Sequence, residues 1–185
     1  MTFERARAEH RYYAAAEFAI KPLDQRAWEL PPLKLDHLRH LTDDTGIFQH
    51  AIFTIPNYRE GYTTDDNARA LIVSVLLEEL GNKEAIELTT RYLAFTWYAF
   101  NSETRRFRNF MDYQRNWLEE SGSDDSHGRA LWALGTVLGR SNSPAPHNMD
   151  ARVFQQALLP ILGTTSPRAW AFALIGIYEY LQRFE

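Results

Sequence analysis

Two short stretches of the sequence place adjacent carboxylates shortly before an arginine, at the point where each segment turns apolar. The first reads GYTTDDNARAL from Gly61, and the second reads SGSDDSHGRAL from Ser121. A pair of carboxylates across a polar basin suits glycoside hydrolysis, in which one protonates the leaving oxygen and the other activates water or attacks the anomeric carbon. The sequence therefore supplies four candidate catalytic groups, which are Asp65, Asp66, Asp124 and Asp125.

Helix capping offers a simpler explanation for the same carboxylates. A carboxylate at a helix start interacts favourably with the helix dipole and can accept hydrogen bonds from the first free N–H groups. A cap needs only one side chain, however, and each stretch supplies several, over 64–67 and over 123–126. This surplus favours polar groups that converge on a ligand, but both explanations stay open at this point.

A third, weaker copy of the pattern, SPRAWAFALIGIYEYL, begins at Ser166. When the copies are aligned on Arg69, Arg129 and Arg168, they lie 60 and 39 residues apart. Each copy starts with a polar loop and leads into an apolar helix rich in Ala and Gly. One more amphipathic helix lies between one copy and the next. This arrangement predicts an array of helical hairpins, in which buried inner helices alternate with outer helices that face water.

Other polar and aromatic side chains near these helix starts are candidates for holding a sugar. Histidines and arginines can hydrogen-bond hydroxyl groups, and an aromatic ring can stack on the flat face of a ligand. The predicted substrate-binding residues are His50, Tyr62, Asn67, Arg69, His127, Arg129 and Arg168. The histidines lack the spacing of a metal site, and the sequence has no phosphate loop or dinucleotide fingerprint, so no metal or cofactor is expected.

Caps and helix breakers divide the chain into an all-α pattern. An N-terminal helix over Phe3 to Ile20 leads into a Pro-rich linker that ends at residue 32, and the main domain is expected over 33–185. A structured loop or short β-hairpin is predicted near residues 45–60, where β-branched and aromatic residues are interrupted by Pro56. The other predicted helices cover 33–41, 66–80, 83–100, 111–120, 126–138 (stopping at Gly139), 150–162 and the segment from Ser166 to the C-terminus.

The composition argues against several functional classes. A formal net charge of -4 gives no basic surface for nucleic acid. The absence of cysteine removes disulfides, thiolate chemistry and cysteine–zinc sites. The N-terminus lacks the apolar segment of a secretory signal, and no run approaches the roughly 18 apolar residues of a membrane span. We therefore expect a cytoplasmic protein that binds neither nucleic acid nor membrane.

Three longer stretches resemble a known family, and they read LDHLRHLTDDTGIFQHAIFTIPNYREGYTTDDNARALI, NFMDYQRNWLEESGSDDSHGRALWALG and SPRAWAFALIGIYEYL. They are similar to the six-hairpin-glycosidase-like domain of bacterial sugar metabolism, which often follows a glycosyltransferase domain and is often catalogued simply as glycosyltransferase. The resemblance covers the chain from about Leu33 to its end. It implies an (α/α)6 toroid, a carbohydrate-handling role and a glycosyltransferase partner domain, but it assigns no catalyst among the matching polar residues.

Two functions follow as expectations from the motifs and the resemblance together. The first is a carbohydrate-active, glycoside-processing domain, in which one Asp of each pair acts as acid or base in an inverting reaction. The alternative is a non-catalytic sugar-binding or accessory module of a glycosyltransferase, or an inactive fragment of one.

The length of the chain sets an expectation about assembly. Twelve helices of ~12 residues with their loops need about twice the 185 residues present, so about half of a toroid is expected. An arc of hairpins leaves apolar faces uncovered, most clearly on the last helix, AWAFALIGIYEYL. We therefore expect the chain either to form a homodimer through its C-terminal helix or to behave as an unstable fragment.

Overall fold

A computed structural model describes residues 33–141 and 147–184 of the chain. Within these ranges the protein is mainly helical, as the sequence predicts, with short antiparallel strand pairs. The predicted N-terminal helix and the linker that ends at residue 32 lie outside the described residues. In the part of the chain that the structure describes, no helix is long and apolar enough to cross a membrane.

The helices and strands of the described chain alternate with short connections. The helices are α1 (Asp36–His40), α2 (Thr64–Glu79), α3 (Ala85–Ala99), α4 (Asp124–Arg140), α5 (His147–Leu158) and α6 (Pro167–Phe184), with a 3-10 turn at Leu159–Gly163. The antiparallel strand pairs join β1 (Ala51–Ile52) to β2 (Ile55–Pro56), β3 (Tyr62–Thr63) to β6 (Phe110–Met111), and β4 (Phe100–Asn101) to β5 (Arg106–Phe107). The β1–β2 hairpin lies in the segment near residues 45–60, for which a structured loop or a short β-hairpin was predicted.

The three helices that open on the repeated motif, α2, α4 and α6, form one layer of parallel helices. Ion pairs fix the direction of α2 and α4 at both ends. Asp65, at the start of α2, lies against Arg129 of α4, and Glu79, at the end of α2, lies against Arg140 at the end of α4. The layer therefore gathers three helix N-termini at one end and three C-termini at the other.

The outer helices α3 and α5 pack against this layer. The short connection over 80–84 brings α3 back along α2, and α5 packs along α4. Leu71, Val75 and Tyr92 fill the space between α2 and α3, and Leu134 and Phe154 fill the space between α4 and α5. All five side chains are fully buried or nearly so. The observed arrangement agrees with the predicted alternation of inner and outer helices, whereas the complete toroid stays a prediction.

Glycines allow α4 and α6 to approach each other closely. A Cβ atom on Gly135 would lie 2.1 Å from the carbonyl oxygen of Gly176, and one on Gly139 would lie 2.1 Å from the carbonyl oxygen of Glu179. These are backbone atoms, so any side chain at either position would force the helices apart. The prediction that α4 stops at Gly139 is wrong, because this glycine serves helix packing inside the helix instead of ending it.

The helix predicted over 111–120 is also absent. Met111 belongs to β6, and the Asp112 carboxylate then accepts a 2.8 Å hydrogen bond from the Asn116 backbone N–H. Such side-chain bonds compete with helical ones. Arg115 has a φ angle of 68°, which a helix does not allow. The segment therefore forms a strand and a tight turn in place of the predicted helix.

The last helix exposes apolar side chains, as expected. Leu174 is 64% exposed and Tyr178 is 59% exposed, and Trp170 and Leu181 lie on the same stripe. Apolar stripes of this kind favour association, but self-association through α6 stays a prediction. Light scattering on the purified chain tests it, because a well-behaved monomer that unfolds cooperatively contradicts it.

Candidate functional site

Hydroxyl groups, and not the repeated carboxylates, cap the inner helices. Thr63 accepts a 3.1 Å hydrogen bond from the Asp66 N–H, and Ser123 accepts one of 3.1 Å from the Ser126 N–H. Ser166 caps α6, as predicted. Because a helix start needs only one such cap, most of the carboxylates in the first turns are free to form other contacts.

Asp65 joins α2 to α4 through two arginines. Its Oδ2 atom accepts a 2.8 Å hydrogen bond from Nη2 of Arg69, one turn further along the same helix. Its Oδ1 atom lies 2.6 Å from Nε of Arg129, an ion pair without the alignment of a hydrogen bond. Asp65 is therefore held between two positive charges, on its own helix and on the next.

Asp125 makes the corresponding connection from α4 to α6. It forms an ion pair with Arg168, and one of its oxygens accepts a 3.3 Å hydrogen bond from the Ser166 hydroxyl. The hydrogen bond from Arg168 and its positive charge lower the pKa of Asp125, which is therefore ionised at neutral pH. Asp125 raises the pKa of Arg168 through the hydrogen bond and its charge, and the negative charge of Asp65 adds a smaller contribution, so the three helix starts share one electrostatic cluster.

We call this group of side chains the N-terminal cluster, and its members are Asp65, Arg69, Asp125, Arg129 and Arg168. Their side chains are between 20% and 68% exposed, so the cluster forms a surface that a ligand can reach. Beside it, the Arg129 guanidinium lies 4.4 Å from the centre of the Phe172 ring, which stacks on Trp132. Charged donors and acceptors therefore lie next to an aromatic surface.

The other two candidate carboxylates have local partners. Asp66 accepts a 2.6 Å hydrogen bond from the Thr63 hydroxyl and contacts Arg69. Asp124 accepts a 2.8 Å hydrogen bond from Nη2 of Arg106, which lies on β5. Asp66 fixes the Thr63 hydroxyl that caps α2, and Asp124 ties the first residue of α4 to the hairpin β4–β5. Sequence reasoning missed Arg106, since no local pattern connects it with Asp124.

His127 is enclosed by the protein and offers no nitrogen to a ligand. The side chain is fully buried, with Nε2 at 2.9 Å from the Ala157 carbonyl oxygen and Nδ1 accepting a 3.4 Å hydrogen bond from the Phe107 N–H. Burial lowers its pKa to about 4, so the ring is neutral at physiological pH and carries its proton on Nε2. The structure therefore places His127 in the core, which argues against its predicted role in binding substrate.

Tyr62 and Asn67 likewise have structural contacts. Tyr62 is 1% exposed and donates a 2.5 Å hydrogen bond to Asp43, and burial raises its pKa above the usual range. The Asn67 amide is fully buried and bonds the backbone of Ile47 and Thr63. These two side chains attach the loop over 43–48 to β3 and α2, and neither is accessible to substrate.

The last predicted binding residue, His50, lies apart from these buried groups. It is exposed and precedes the hairpin β1–β2. Of the seven predicted binding residues, the structure therefore brings the three arginines together in the N-terminal cluster, buries three others and leaves His50 exposed on a loop.

Asp150 is an unusual carboxyl group that the motifs do not indicate. It lies on α5, is fully buried, and neither of its oxygens has a hydrogen-bond partner in the described part of the protein. Burial raises its pKa to about 7, against a smaller opposing effect from the Trp97 indole N–H. Such a pKa suits a general acid, but full burial separates this carboxyl group from any substrate.

A second group of charges lies at the opposite end of the inner helices. Arg140 donates hydrogen bonds of 2.6 Å and 3.0 Å to the two oxygens of Glu179 and one of 3.2 Å to Glu79. We call these three residues the C-terminal clamp. They join the ends of α2 and α4 to α6, and no local sequence pattern predicts them because the pairing partners lie 61 and 39 residues from Arg140.

No family model, curated protein or solved structure matches this chain. The resemblance to six-hairpin-glycosidase-like domains therefore stays a prediction that rests on the quoted motifs. Within the described residues, no group of three or more His, Asp or Glu side chains is arranged to hold a metal ion.

Proposed function

We propose that this chain is a carbohydrate-binding module of the helical-hairpin type, and that the N-terminal cluster is its binding surface. The observation that carries the proposal is the convergence of five charged side chains from three helix starts on one accessible surface. Planar carboxylates and guanidinium groups can bond neighbouring hydroxyl groups through two atoms at once. The stacked rings of Phe172 and Trp132 add an apolar face suited to a sugar ring.

The surroundings of the carboxylates favour binding over hydrolysis. A glycosidase needs one carboxyl group that still holds a proton near neutral pH. Arg168 instead lowers the pKa of Asp125, and Asp65 is paired with two arginines. Asp66 and Asp124 are engaged in a cap and a loop contact. Each of the four carboxylates therefore has a hydrogen-bond or ion-pair partner within the protein, and the pKa of Asp125 is shifted in the direction opposite to the one that a proton donor needs.

The role of an accessory module to a glycosyltransferase extends the same proposal. A domain that holds sugar without transforming it is useful beside an enzyme that supplies or consumes it. The exposed apolar stripe on α6 supports an additional protein contact, either with further hairpins of a toroid or with a partner domain.

A double variant separates binding from catalysis. Asp65→Asn together with Asp125→Asn keeps hydrogen-bonding groups of the same shape but removes the charge and the acid–base function of these two side chains. Binding of monosaccharides is measured by NMR, and turnover is measured with a panel of p-nitrophenyl glycosides. We expect no turnover by the wild type and sugar binding that survives in the double variant within a few-fold.

Two results would overturn this proposal. Turnover by the wild type that disappears in the double variant assigns the carboxylates a catalytic role. If the wild type binds none of the sugars, the proposed carbohydrate function itself is wrong. The variant Arg129→Ala provides the binding control, because it removes the guanidinium group that links Asp65 to the aromatic surface.

A further inference from the structure

A cleft of about 340 Å³ lies beside α3, where the loops around residues 44 and 115 meet this helix. Its lining includes Asp44, Arg91, Phe95, Tyr98 and Arg115. None of the residues that line it belongs to the N-terminal cluster, so the cleft forms a separate feature of the surface. Its volume is at the lower end of the range for ligand pockets, which suits a ligand of a single ring.

The wall of the cleft is held by a contact between distant parts of the chain. Nη2 of Arg115 donates a 2.8 Å hydrogen bond to Oδ1 of Asp44, across 71 residues of sequence. Arg115 reaches this position from a left-handed backbone conformation, which residues other than Gly, Asn and Asp seldom adopt. The Asp112 carboxylate and carbonyl hold the turn by bonding the N–H groups of Asn116 and Arg115. An unfavourable backbone conformation that is fixed in this way points to a use for the side chain.

The charges around the cleft are balanced. Arg115, with a smaller contribution from Arg91, lowers the pKa of Asp44, which is therefore ionised. Arg91 is itself 2.8 Å from the Glu87 carboxylate. Of the charged side chains that line the cleft, Asp44 is paired with Arg115, and the charge of Arg91 is offset by Glu87, which lies outside the lining. This balance favours a neutral ligand that is rich in hydroxyl groups over an anion.

Aromatic side chains supply the apolar part of the cleft. Phe95 is almost completely buried and forms part of its floor. Tyr98 is 59% exposed, and its ring centre lies 5.5 Å from that of Trp117. An exposed ring next to planar charged groups can pack against the C–H face of a sugar while the charged groups bond its hydroxyls.

We propose that this cleft is a second carbohydrate subsite, which takes one neutral pyranose ring against Tyr98 with its hydroxyl groups bonded by Asp44, Arg91 and Arg115. The choice of a sugar as ligand rests on the proposed function, whereas the position of the subsite rests on the cleft alone. The module then contacts carbohydrate at two separate places.

A pair of matched tyrosine variants tests the subsite. Tyr98 and Tyr178 are both on helices and both 59% exposed, but only Tyr98 lines the cleft. The probes are D-glucose, D-galactose, D-mannose and N-acetyl-D-glucosamine at millimolar concentration, and binding is followed by amide chemical shifts. We expect shifts at residues 44, 91, 98 and 115. Tyr98→Ala should weaken this binding about tenfold, and Tyr178→Ala should leave it unchanged.

Two further variants separate the subsite from the N-terminal cluster. Arg115→Gln keeps much of the side-chain length and removes the Asp44 ion pair, so it should weaken binding in the cleft while circular dichroism shows an intact fold. Arg129→Ala should abolish shifts at the N-terminal cluster and leave those at the cleft.

Each outcome is decisive for one proposal or the other. Shifts at the N-terminal cluster without shifts at the cleft overturn the second subsite and leave the proposed function standing. Shifts at the cleft alone keep the subsite and contradict the assignment of the N-terminal cluster. Equal losses in Tyr98→Ala and Tyr178→Ala, or a preference of the cleft for inorganic phosphate or D-glucuronate over the neutral sugars, also overturn the subsite.

Discussion

At one end of the inner helices, α2, α4 and α6 present the N-terminal cluster, whose carboxylates lie where the helix dipoles favour negative charge. At the other end, Glu79 and Glu179 lie in the C-terminal halves of their helices, where negative charge is unfavourable, and Arg140 compensates both. Arg140 itself is in the last turn of α4, a favourable position for a cation. Both ends therefore use arginine–carboxylate pairs, but the helix dipoles favour the carboxylates at the N-terminal end and the arginine at the C-terminal end.

Burial of one carboxylate distinguishes the C-terminal clamp. The Glu179 side chain is 11% exposed, against 28% for Asp65 and 23% for Asp125, whereas Arg140 and Glu79 are exposed to a degree similar to the N-terminal cluster. Exposed ion pairs add little to stability, but a buried carboxylate that loses its partner is strongly destabilising. We infer that the C-terminal clamp serves the stability of the helix layer, and that the N-terminal cluster is free to serve binding.

Gly135→Ala should have the largest effect, because it disturbs both ends at once. The new Cβ atom would meet the Gly176 carbonyl oxygen at 2.1 Å, so α4 and α6 must separate and strain the pairs at either end. We expect a loss of about 3 kcal/mol in the free energy of unfolding, at the upper end for overpacking because the clash is with backbone, measured by urea denaturation. Gly163→Ala is the matched control, since nothing lies within 4 Å of its new Cβ atom. Equal stability of the two variants contradicts the close packing.

Arg140→Ala should be the next most damaging change, because it leaves Glu179 buried without its cation. A loss of about 2 to 3 kcal/mol is expected, below the full value for a buried pair because Arg140 is partly exposed. The double variant Arg140→Met with Glu179→Met removes both charges and should recover much of this loss. If the double variant is as unstable as the single one, the clamp does not act through its charges.

Asp150 can be compared with Glu179, because both are buried carboxyl groups but, within the described residues, only Glu179 is paired with an arginine. Its pKa of about 7 in the folded protein lies above the value of ~3.9 in the unfolded chain. The folded state therefore keeps a proton that the unfolded state has lost, and stability falls as pH rises from about 4 to about 7.

Asp150→Asn removes this titration and tests its sign. Relative to the wild type, the variant should gain about 2 to 3 kcal/mol between pH 5 and pH 7 and stay level above pH 8. The lowered pKa of His127 makes the stability of the protein fall as pH falls, which is the opposite trend. This effect is the same in the wild type and in the variant, so it does not change the difference between them. A difference between the two unfolding curves that does not change with pH contradicts a protonated Asp150.

Arg168→Ala should have the smallest effect on stability, because its side chain is the most exposed in the N-terminal cluster. The unfolding midpoint should stay within error of the wild type, while the pKa of Asp125 rises towards its ordinary value. A carboxyl NMR titration of Asp125 measures this change. Arg39→Ala, which breaks another exposed pair with Glu84, serves as the control and should leave Asp125 unaffected. A marked loss of stability in Arg168→Ala would show that the N-terminal cluster also stabilises the helix layer, which contradicts the division of roles between the two ends.

Local signals in the sequence were sufficient to predict the inner helices. Hydroxyl residues at helix starts, carboxylates in first turns and Pro167 at the first position of α6 all act within a few residues. The hairpin at 51–56 was predicted for the same reason. Where a distant strand provided a competing partner, as for 111–120, the local signal failed.

The contacts that decide the site were beyond reach of the sequence. The pairing of Asp124 with Arg106, and of Arg140 with Glu179, depends on which helices become neighbours. Burial of His127 depends on α5 covering it, so a histidine within a polar motif was interpreted as a ligand-binding residue. Gly139 was interpreted as a helix end because the sequence alone does not distinguish a glycine that allows close helix packing from one that ends a helix.

The division of roles between the two ends is tested most directly by one amide chemical-shift titration with the four neutral monosaccharides. Residues 65–69, 125–129 and 166–169 at the N-terminal end should shift with sugar concentration. Residues 79, 140 and 179 at the C-terminal end should not. Shifts confined to the C-terminal end, or no sugar-dependent shift at the N-terminal cluster with any of the four sugars, would contradict the account.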